Sequence, residues 1–156
     1  MQISENSRVW IYQSNRALTP QEQSQIQAVL NEFTAQWHAH GDKLAAAAEI
    51  RHDRFIILSV DEAQAGASGC SIDRSVNLMK DIEKQFGLNL FDRFNIVYRE
   101  NGTVKNADRE TFEQLVASQQ VTGETIVFNN LVATRKELET NWQVPMKDSW
   151  HARVFG

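Results

Sequence analysis

Two segments of the chain are apolar on both of their alternating faces, and this restricts the possible folds more than any other feature. In residues 8–13, Val9 and Ile11 point to one face and two aromatic residues point to the other. Residues 55–60 form a continuous apolar run. A strand of this kind is stable only where other elements cover both faces of its sheet. We therefore predict that both segments are central strands of a sheet that is covered on both sides.

Two amphipathic helices are predicted between the strands. The first begins at Thr19, because Thr19 and Glu22 have the spacing of a capping box, and it is predicted to end at Gly41. The second follows a loop of small residues at 63–69 and ends at Gly87. Each carries apolar residues at helical spacing, so each is expected to pack one face on the sheet.

The predicted element order is strand, helix, strand, strand, helix, strand. The remaining strands are an edge strand at 46–51 and a fourth strand at 94–99, which continues into a hairpin through Asn101-Gly102. This order is typical of a ferredoxin-like (βαββαβ) core with an antiparallel sheet, so the predicted class is α+β with a C-terminal hairpin and helices. A generic α+β sheet is the alternative. We predict one domain over residues 1–156, with the apolar tail 146–156 docked on the body.

Composition excludes several classes of protein. The chain has 156 residues, with 16 basic and 20 acidic side chains and a net charge of −4. A sequence-independent nucleic-acid binder needs a basic surplus, so we expect no nucleic-acid partner. The single cysteine excludes an intrachain disulfide, and the first six residues lack the basic and apolar regions of a secretory signal. No apolar run is long enough for a membrane span, so we expect a cytoplasmic protein without membrane contact.

The most informative stretch surrounds Cys70. A predicted strand ends at Asp61, and a flexible loop then delivers Cys70 and Ser71 to the start of the second helix, with Asp73 close behind. Unpaired amides at a helix N-terminus stabilise a thiolate or an anionic ligand, whereas Asp73 opposes both. Three interpretations stay open: Cys70 is a small buried packing residue, the loop binds an anion, or Cys70 is a reactive, catalytic thiol. Asp61, Glu62 and Asp73 also have the chemistry of a magnesium site, but capping or solvated carboxylates are commoner, so no metal is predicted.

The loop after the first strand supplies further candidate ligands. If it lies at the same end of the sheet as the Cys70 loop, Ser14 and Arg16 join Asp61, Ser71 and Asp73 around one site, with Arg16 as the fork for an anion. We therefore predict a site for a small anionic ligand, with or without chemistry at Cys70, and no cofactor. The alternative function is a non-catalytic interaction or structural module, forming a homodimer through the sheet face opposite the helices.

Segments spread over nearly the whole chain carry a resemblance, at residues 8–14, 37–41, 60–62, 67–73, 137–142 and 149–151. The string Ser-Gly-Cys-Ser-Ile-Asp at 68–73 is the most specific of them. On these residues the chain resembles a family of short Bacteroidetes proteins whose members are often labelled "ABC transporter ATPase". Such an ATPase needs a Gly-x-x-x-x-Gly-Lys-Ser/Thr loop, yet none of the seven glycines precedes Lys-Ser or Lys-Thr. We expect no Walker-type ATP hydrolysis, and the resemblance implies no catalytic residue.

Overall fold

The fold is of the α+β class and has a three-stranded and a four-stranded antiparallel sheet, together with a small two-stranded one. The computed structural model describes residues 3–156; residues 1 and 2, which begin the N-terminal segment considered above, lie outside the described residues. Unit 1 comprises the described residues up to Phe91 together with Ala133–Lys136, and unit 2 comprises Asp92–Val132 and Glu137–Gly156. In chain order the elements are β1 (Arg8–Gln13), α1 (Pro20–Gln36), β2 (His38–Ala39), β3 (Asp42–Lys43), β4 (Ala45–Arg51), β5 (Phe55–Asp61), α2 (Gly69–Phe86), β6 (Ile96–Glu100), β7 (Thr103–Ala107), α3 (Arg109–Ala117), β8 (Ile126–Phe128), α4 (Arg135–Thr140), β9 (Gln143–Pro145), a 3-10 turn (Met146–Asp148) and α5 (His151–Phe155).

The sheet of unit 1 has the strand order β1-β5-β4, and all its pairs are antiparallel. The central strand β5 is buried on both faces, as its continuous apolar run predicts. The predicted edge strand is confirmed as β4. It turns into β5 through His52 and Asp53, which both have positive φ (53° and 60°), and Arg54 donates its amide hydrogen to the Arg51 carbonyl at 3.2 Å.

Helix α1 begins as predicted but ends earlier. The capping box is confirmed, because the Thr19 hydroxyl accepts from the Glu22 amide while the Glu22 carboxylate accepts from the Thr19 amide. The predicted end at Gly41 is wrong, since α1 ends at Gln36 and the chain forms the β2–β3 hairpin. His40 and Gly41 both have positive φ and fill its two-residue turn. A glycine in this conformation serves a hairpin turn as readily as a helix end, so the sequence signal was ambiguous.

The predicted fourth strand does not join the sheet of unit 1. It forms β6 of the second sheet, whose order is β7-β6-β8-β9. The turn at Asn101 and Gly102, both at positive φ, fixes the local pairing of β6 with β7. The outer edge of β1 is met instead by a later segment, since the Val9 amide donates to the Ala133 carbonyl at 2.9 Å and the Arg135 amide donates to the Ser7 carbonyl at 2.9 Å. Because this segment is short and distant in sequence from β1, no local sequence pattern predicts their pairing.

Unit 2 has its own core around Phe112 of α3, which is fully buried. The side chain of Asp108 caps α3 by accepting from the Thr111 amide at 2.8 Å. Residues of the tail enter this core: Met146 is buried, and the Phe155 ring lies 4.8 Å from that of Phe112. The expectation of a single domain over 1–156 stays a prediction. Among residues 3–156 no helix has the length and apolar character needed to cross a bilayer.

Candidate ligand site

The residues predicted to share one site lie at the two ends of α2. Because β1 and β5 are antiparallel, Gln13 at the end of β1 lies beside Phe55 at the start of β5. The loop after β1 and the loop after β5 therefore leave opposite ends of the sheet, and the predicted convergence is wrong. Arg16 contacts the last residue of α2 and Cys70 is its second residue. A helix of 18 residues is about 27 Å long at 1.5 Å per residue.

The guanidinium of Arg16 already forms an ion pair with a carboxylate of the protein. Its two terminal nitrogens donate to the two oxygens of Glu22, each at 2.8 Å, and Nη2 also donates to the Phe86 carbonyl at 2.9 Å. The hydrogen bond from Arg16, with the amide of Thr19, holds the pKa of Glu22 at about 2. Arg16 thus links the start of α1 to the end of α2. The prediction that Arg16 binds an anionic ligand is therefore wrong, because its role is structural.

Ser14 is a fully buried turn residue. Its amide donates to the Arg54 carbonyl at 2.9 Å, and its hydroxyl accepts from the Arg16 amide at 3.3 Å. These bonds hold Ser14 in the loop after β1, at the end of the sheet opposite the start of α2. The prediction that Ser14 helps to bind the ligand at Cys70 is therefore wrong.

The loop before α2 satisfies its own amides with its own side chains. Ser68, and not Ser71, is the N-cap, and the two hydroxyls accept from each other's backbone amides at 3.2 and 2.7 Å. Asp61 accepts from the Ala63 amide at 3.1 Å, and Glu62 accepts from the Ala67 amide at 2.8 Å. These residues build the turn that starts α2. No group of three or more potential metal-binding side chains occurs within residues 3–156.

Cys70 is exposed at the second position of α2. The interpretation of Cys70 as a buried packing residue is therefore wrong. Asp73 is the fifth residue of the helix and is exposed, so it lies beyond the first turn. The prediction that its carboxylate competes for the helix N-terminus is therefore wrong. No described residue forms a hydrogen bond with the Cys70 thiol, and the anion fork predicted beside it is absent.

We expect one thiol to react with Ellman's reagent in the native protein without denaturant, because the only cysteine is exposed. The measurement is the absorbance released per chain in buffer and again in denaturant. Cys70→Ser serves as the blank and is expected to change stability by less than about 0.5 kcal/mol, as for other surface substitutions. A thiol that reacts only after unfolding would contradict the exposed position.

A cavity of about 370 Å³, which the sequence did not predict, lies in unit 1 beside the edge strand β4. Ligand pockets commonly have volumes of about 300–1,000 Å³. Side chains from α1, β4 and β5, together with the start of α4, surround it. The lining residues are Ile3, Asn31, Thr34, Ala46, Ala47, Ala48, Glu49, Ile57, Ser59 and Arg135.

A network of charged side chains forms one wall of this cavity. Arg135 Nη1 donates to Glu49 Oε1 at 2.8 Å and to Ser59 Oγ at 3.1 Å, and Arg51 Nε donates to Glu49 Oε2 at 3.1 Å. Burial by itself raises the pKa of Glu49, but the hydrogen bonds and charges of Arg135 and Arg51 outweigh it and lower the pKa overall. Glu49 therefore stays ionised, with both oxygens engaged by arginines.

Several hydrogen-bond donors along the cavity have no partner among residues 3–156. Nε and Nη2 of Arg135 form no hydrogen bond, although the side chain is only 19% exposed. Ser59 is 1% exposed and its oxygen accepts from Arg135, so its hydroxyl hydrogen is left to donate elsewhere. Asn31 uses its side-chain oxygen to accept from Gln27 and keeps its NH₂ group unused. The cavity thus offers donors and few acceptors.

Unit 2 has a second cavity, of about 430 Å³, beside the tail. Its lining includes Ser149, whose hydroxyl is hydrogen-bonded to Nδ1 of the buried His151 at 2.7 Å. Burial lowers the pKa of His151 to about 4. A base so weak takes a proton from a serine poorly near neutral pH. The pair is therefore better suited to holding the tail in place than to nucleophilic chemistry.

One signal in the sequence pointed to the unit 1 cavity. In the edge strand, Ala47, Glu49 and Arg51 share one face, and a small residue beside charged ones on an otherwise apolar sheet is unusual. Nothing in the sequence links Glu49 to Arg135, which is 86 positions away.

Comparison with family models, curated proteins and solved structures gives no match.

Proposed function

We propose that unit 1 binds a small anionic ligand, carrying a carboxylate or a similar group, in the cavity beside β4. The observation that carries this proposal is the Arg135 guanidinium, which lines the cavity, is largely buried and has Nε and Nη2 unbonded within residues 3–156. An arginine fork matches a carboxylate with two parallel hydrogen bonds. The predicted class of ligand is thus kept, but its site moves away from Cys70.

The local charge balance supports an anion over a cation. Two arginines, Arg51 and Arg135, are paired with the single carboxylate of Glu49. Both Glu49 oxygens are already accepting, so the carboxylate has little capacity left for a cation. The unused groups are the donors of Arg135, Ser59 and Asn31, which suit the oxygens of an anion.

The alternative of a homodimer through the sheet face has less support. That interpretation needs a large exposed apolar face. Phe55 and Ile57 of β5 point away from α1 and α2, and both are 0% exposed in the single chain. A catalytic Cys70 also lacks support, because no described side chain is placed to activate its thiol.

We further propose that unit 1 is a ferredoxin-like core with a substituted edge. The order β1-β5-β4, with α1 and α2 at the corresponding places in the chain, agrees with the first three strands of that arrangement. Residues 133–135 lie where its fourth strand would pair with β1.

The proposed function is tested by thermal unfolding in acetate, glutarate, phosphate and chloride at constant ionic strength. We expect a concentration-dependent rise in the melting temperature with a carboxylate, and a smaller one with chloride. Asn31→Ala should weaken binding about tenfold, because it removes a hydrogen bond to a charged group. Ala47→Leu should abolish binding, because it fills the cavity without changing the charge.

Ala45→Leu is the matched control, since Ala45 is exposed on the same strand and does not line the cavity. It should leave the carboxylate effect unchanged. Absence of stabilisation by every anion, or equal stabilisation of the Ala47→Leu variant, would overturn the proposal.

A further inference from the structure

Within residues 3–156, the outer edge of β4 has no strand beside it. In the order β1-β5-β4, only one side of β4 is paired. The Ala48 carbonyl accepts a hydrogen bond from the side chain of Gln27 at 3.0 Å, which shows that it points away from β5. Because alternate residues of an antiparallel edge strand point outward, Ala46 also directs its amide and carbonyl outward. Neither group of Ala46, nor the amide of Ala48, is bonded within residues 3–156.

The cavity lies along this same edge, since four consecutive residues of β4, at positions 46–49, line it. Asn31 and Thr34 of α1 form its other side. The cavity therefore combines an unpaired strand edge with the Arg135 group. Ser59 is 1% exposed, also lines the cavity and accepts a hydrogen bond from Arg135. An open edge of this kind is a template for an added strand.

We infer that the site takes an extended acidic peptide, which pairs with the outer edge of β4 and places an acidic side chain over Ala47 against Arg135. This inference rests on the proposed function and names the molecule that carries its anionic group. Ala47 pairs with Ser59 of β5, so a peptide strand outside β4 lies two strand spacings from Ser59. With strands about 4.8 Å apart, a peptide side chain beside Ala47 would lie on the face of the sheet that carries Ala47 and Ser59.

The charge and the small residues select this occupant. A neutral peptide would leave the Nε and Nη2 donors of Arg135 without an anionic partner in a half-buried site. A large residue in place of Ala47 would block the path from the edge to Arg135. The peptide backbone supplies affinity through the ladder, and the acidic side chain supplies selectivity.

The test uses calorimetric titration of the full chain with a seven-residue peptide of alternating Thr and Val, with blocked ends and a single central Glu. Its twin carries Gln at the centre, and a third peptide is N-methylated along one edge. We expect the Glu peptide to bind, the Gln twin to bind at least tenfold more weakly, and the N-methylated peptide to lose binding.

Ala46→Pro provides the second arm. Proline is tolerated at an edge position whose amide points outward, so this variant removes an edge donor and leaves the β4–β5 ladder intact. It should abolish binding of the Glu peptide. Its melting temperature reports whether it folds, and the N-methylated peptide tests the same pairing on the unmodified chain.

The outcomes separate the two proposals. Binding of glutarate with no preference for the Glu peptide, or insensitivity to N-methylation, overturns the peptide inference and leaves the anion site. Binding of neither probe overturns both. Concentration-dependent self-association that Ala46→Pro abolishes would identify a second copy of the chain as the occupant and overturn the peptide inference.

Discussion

Replacing Trp37 by alanine is expected to lower the free energy of unfolding by about 4 kcal/mol, which is within the range for truncating a buried aromatic side chain to alanine. Trp37 is 1% exposed, and its ring lies 5.9 Å from that of Trp10 and 5.0 Å from that of Phe33. Its indole N–H also donates to the Ser71 carbonyl at 2.8 Å, which ties the end of α1 to the start of α2. The loss therefore combines a cavity with a broken hydrogen bond. The measurement is urea unfolding followed by circular dichroism.

Two further variants separate these contributions. Trp37→Phe keeps an aromatic ring and loses the N–H donor, so we expect a smaller loss, of about 2 kcal/mol. Leu131→Ala is the matched control, because Leu131 is 74% exposed and its truncation should change stability by less than about 0.5 kcal/mol. A loss below about 1 kcal/mol for Trp37→Ala would show that Trp37 is not a core residue.

Stability is expected to fall by about 2–3 kcal/mol between about pH 7 and about pH 4.5 because of His151. Burial lowers its pKa to about 4 from an ordinary value of 6.5. The unfolded chain therefore binds a proton at a higher pH than the folded chain does. This stability is fully present above about pH 6.5 and is lost as the pH falls towards 4, at about 1.36 kcal/mol per unit.

His151→Asn is the matched variant for this prediction. Asparagine keeps a polar group beside Ser149 and does not titrate, so the change of stability with pH should flatten over this range whatever its absolute stability. Glu22, Glu49 and Asp108 also have lowered pKa values, but carboxylates of this kind affect stability mainly below about pH 4.5. An unchanged slope in the variant would assign the pH dependence to other groups.

Local patterns predicted the elements of unit 1 well. The doubly apolar runs form β1 and β5, although only β5 is the central strand that was predicted for both. The Thr19 capping box starts α1, and Gly87 ends α2 in the left-handed conformation. These features depend on residues within a few positions of each other, so the sequence displays them directly.

Long-range pairing explains most of the errors. Two candidate ligands, Ser14 and Arg16, were grouped with Cys70, although the antiparallel pairing of β1 with β5 separates the loops that carry them. Arg16 illustrates a second cause, because a neighbour six positions away, Glu22, claims its guanidinium. The cavity depends on Arg135, whose contacts with β4 and β5 follow from tertiary structure alone.

The return of residues 133–136 to unit 1 has a consequence for how the protein is made. A ribosome that has released residues up to Phe91 has supplied both helices and all three strands of the β1-β5-β4 sheet. Ala133 and Arg135, which bond to the Val9 amide and the Ser7 carbonyl, have not yet been made. Glu49 likewise lacks one of its two arginines until then. An N-terminal fragment cut at Phe91 would thus carry an unpaired strand edge and a half-neutralised carboxylate, and unit 1 is completed only when synthesis has passed residue 136.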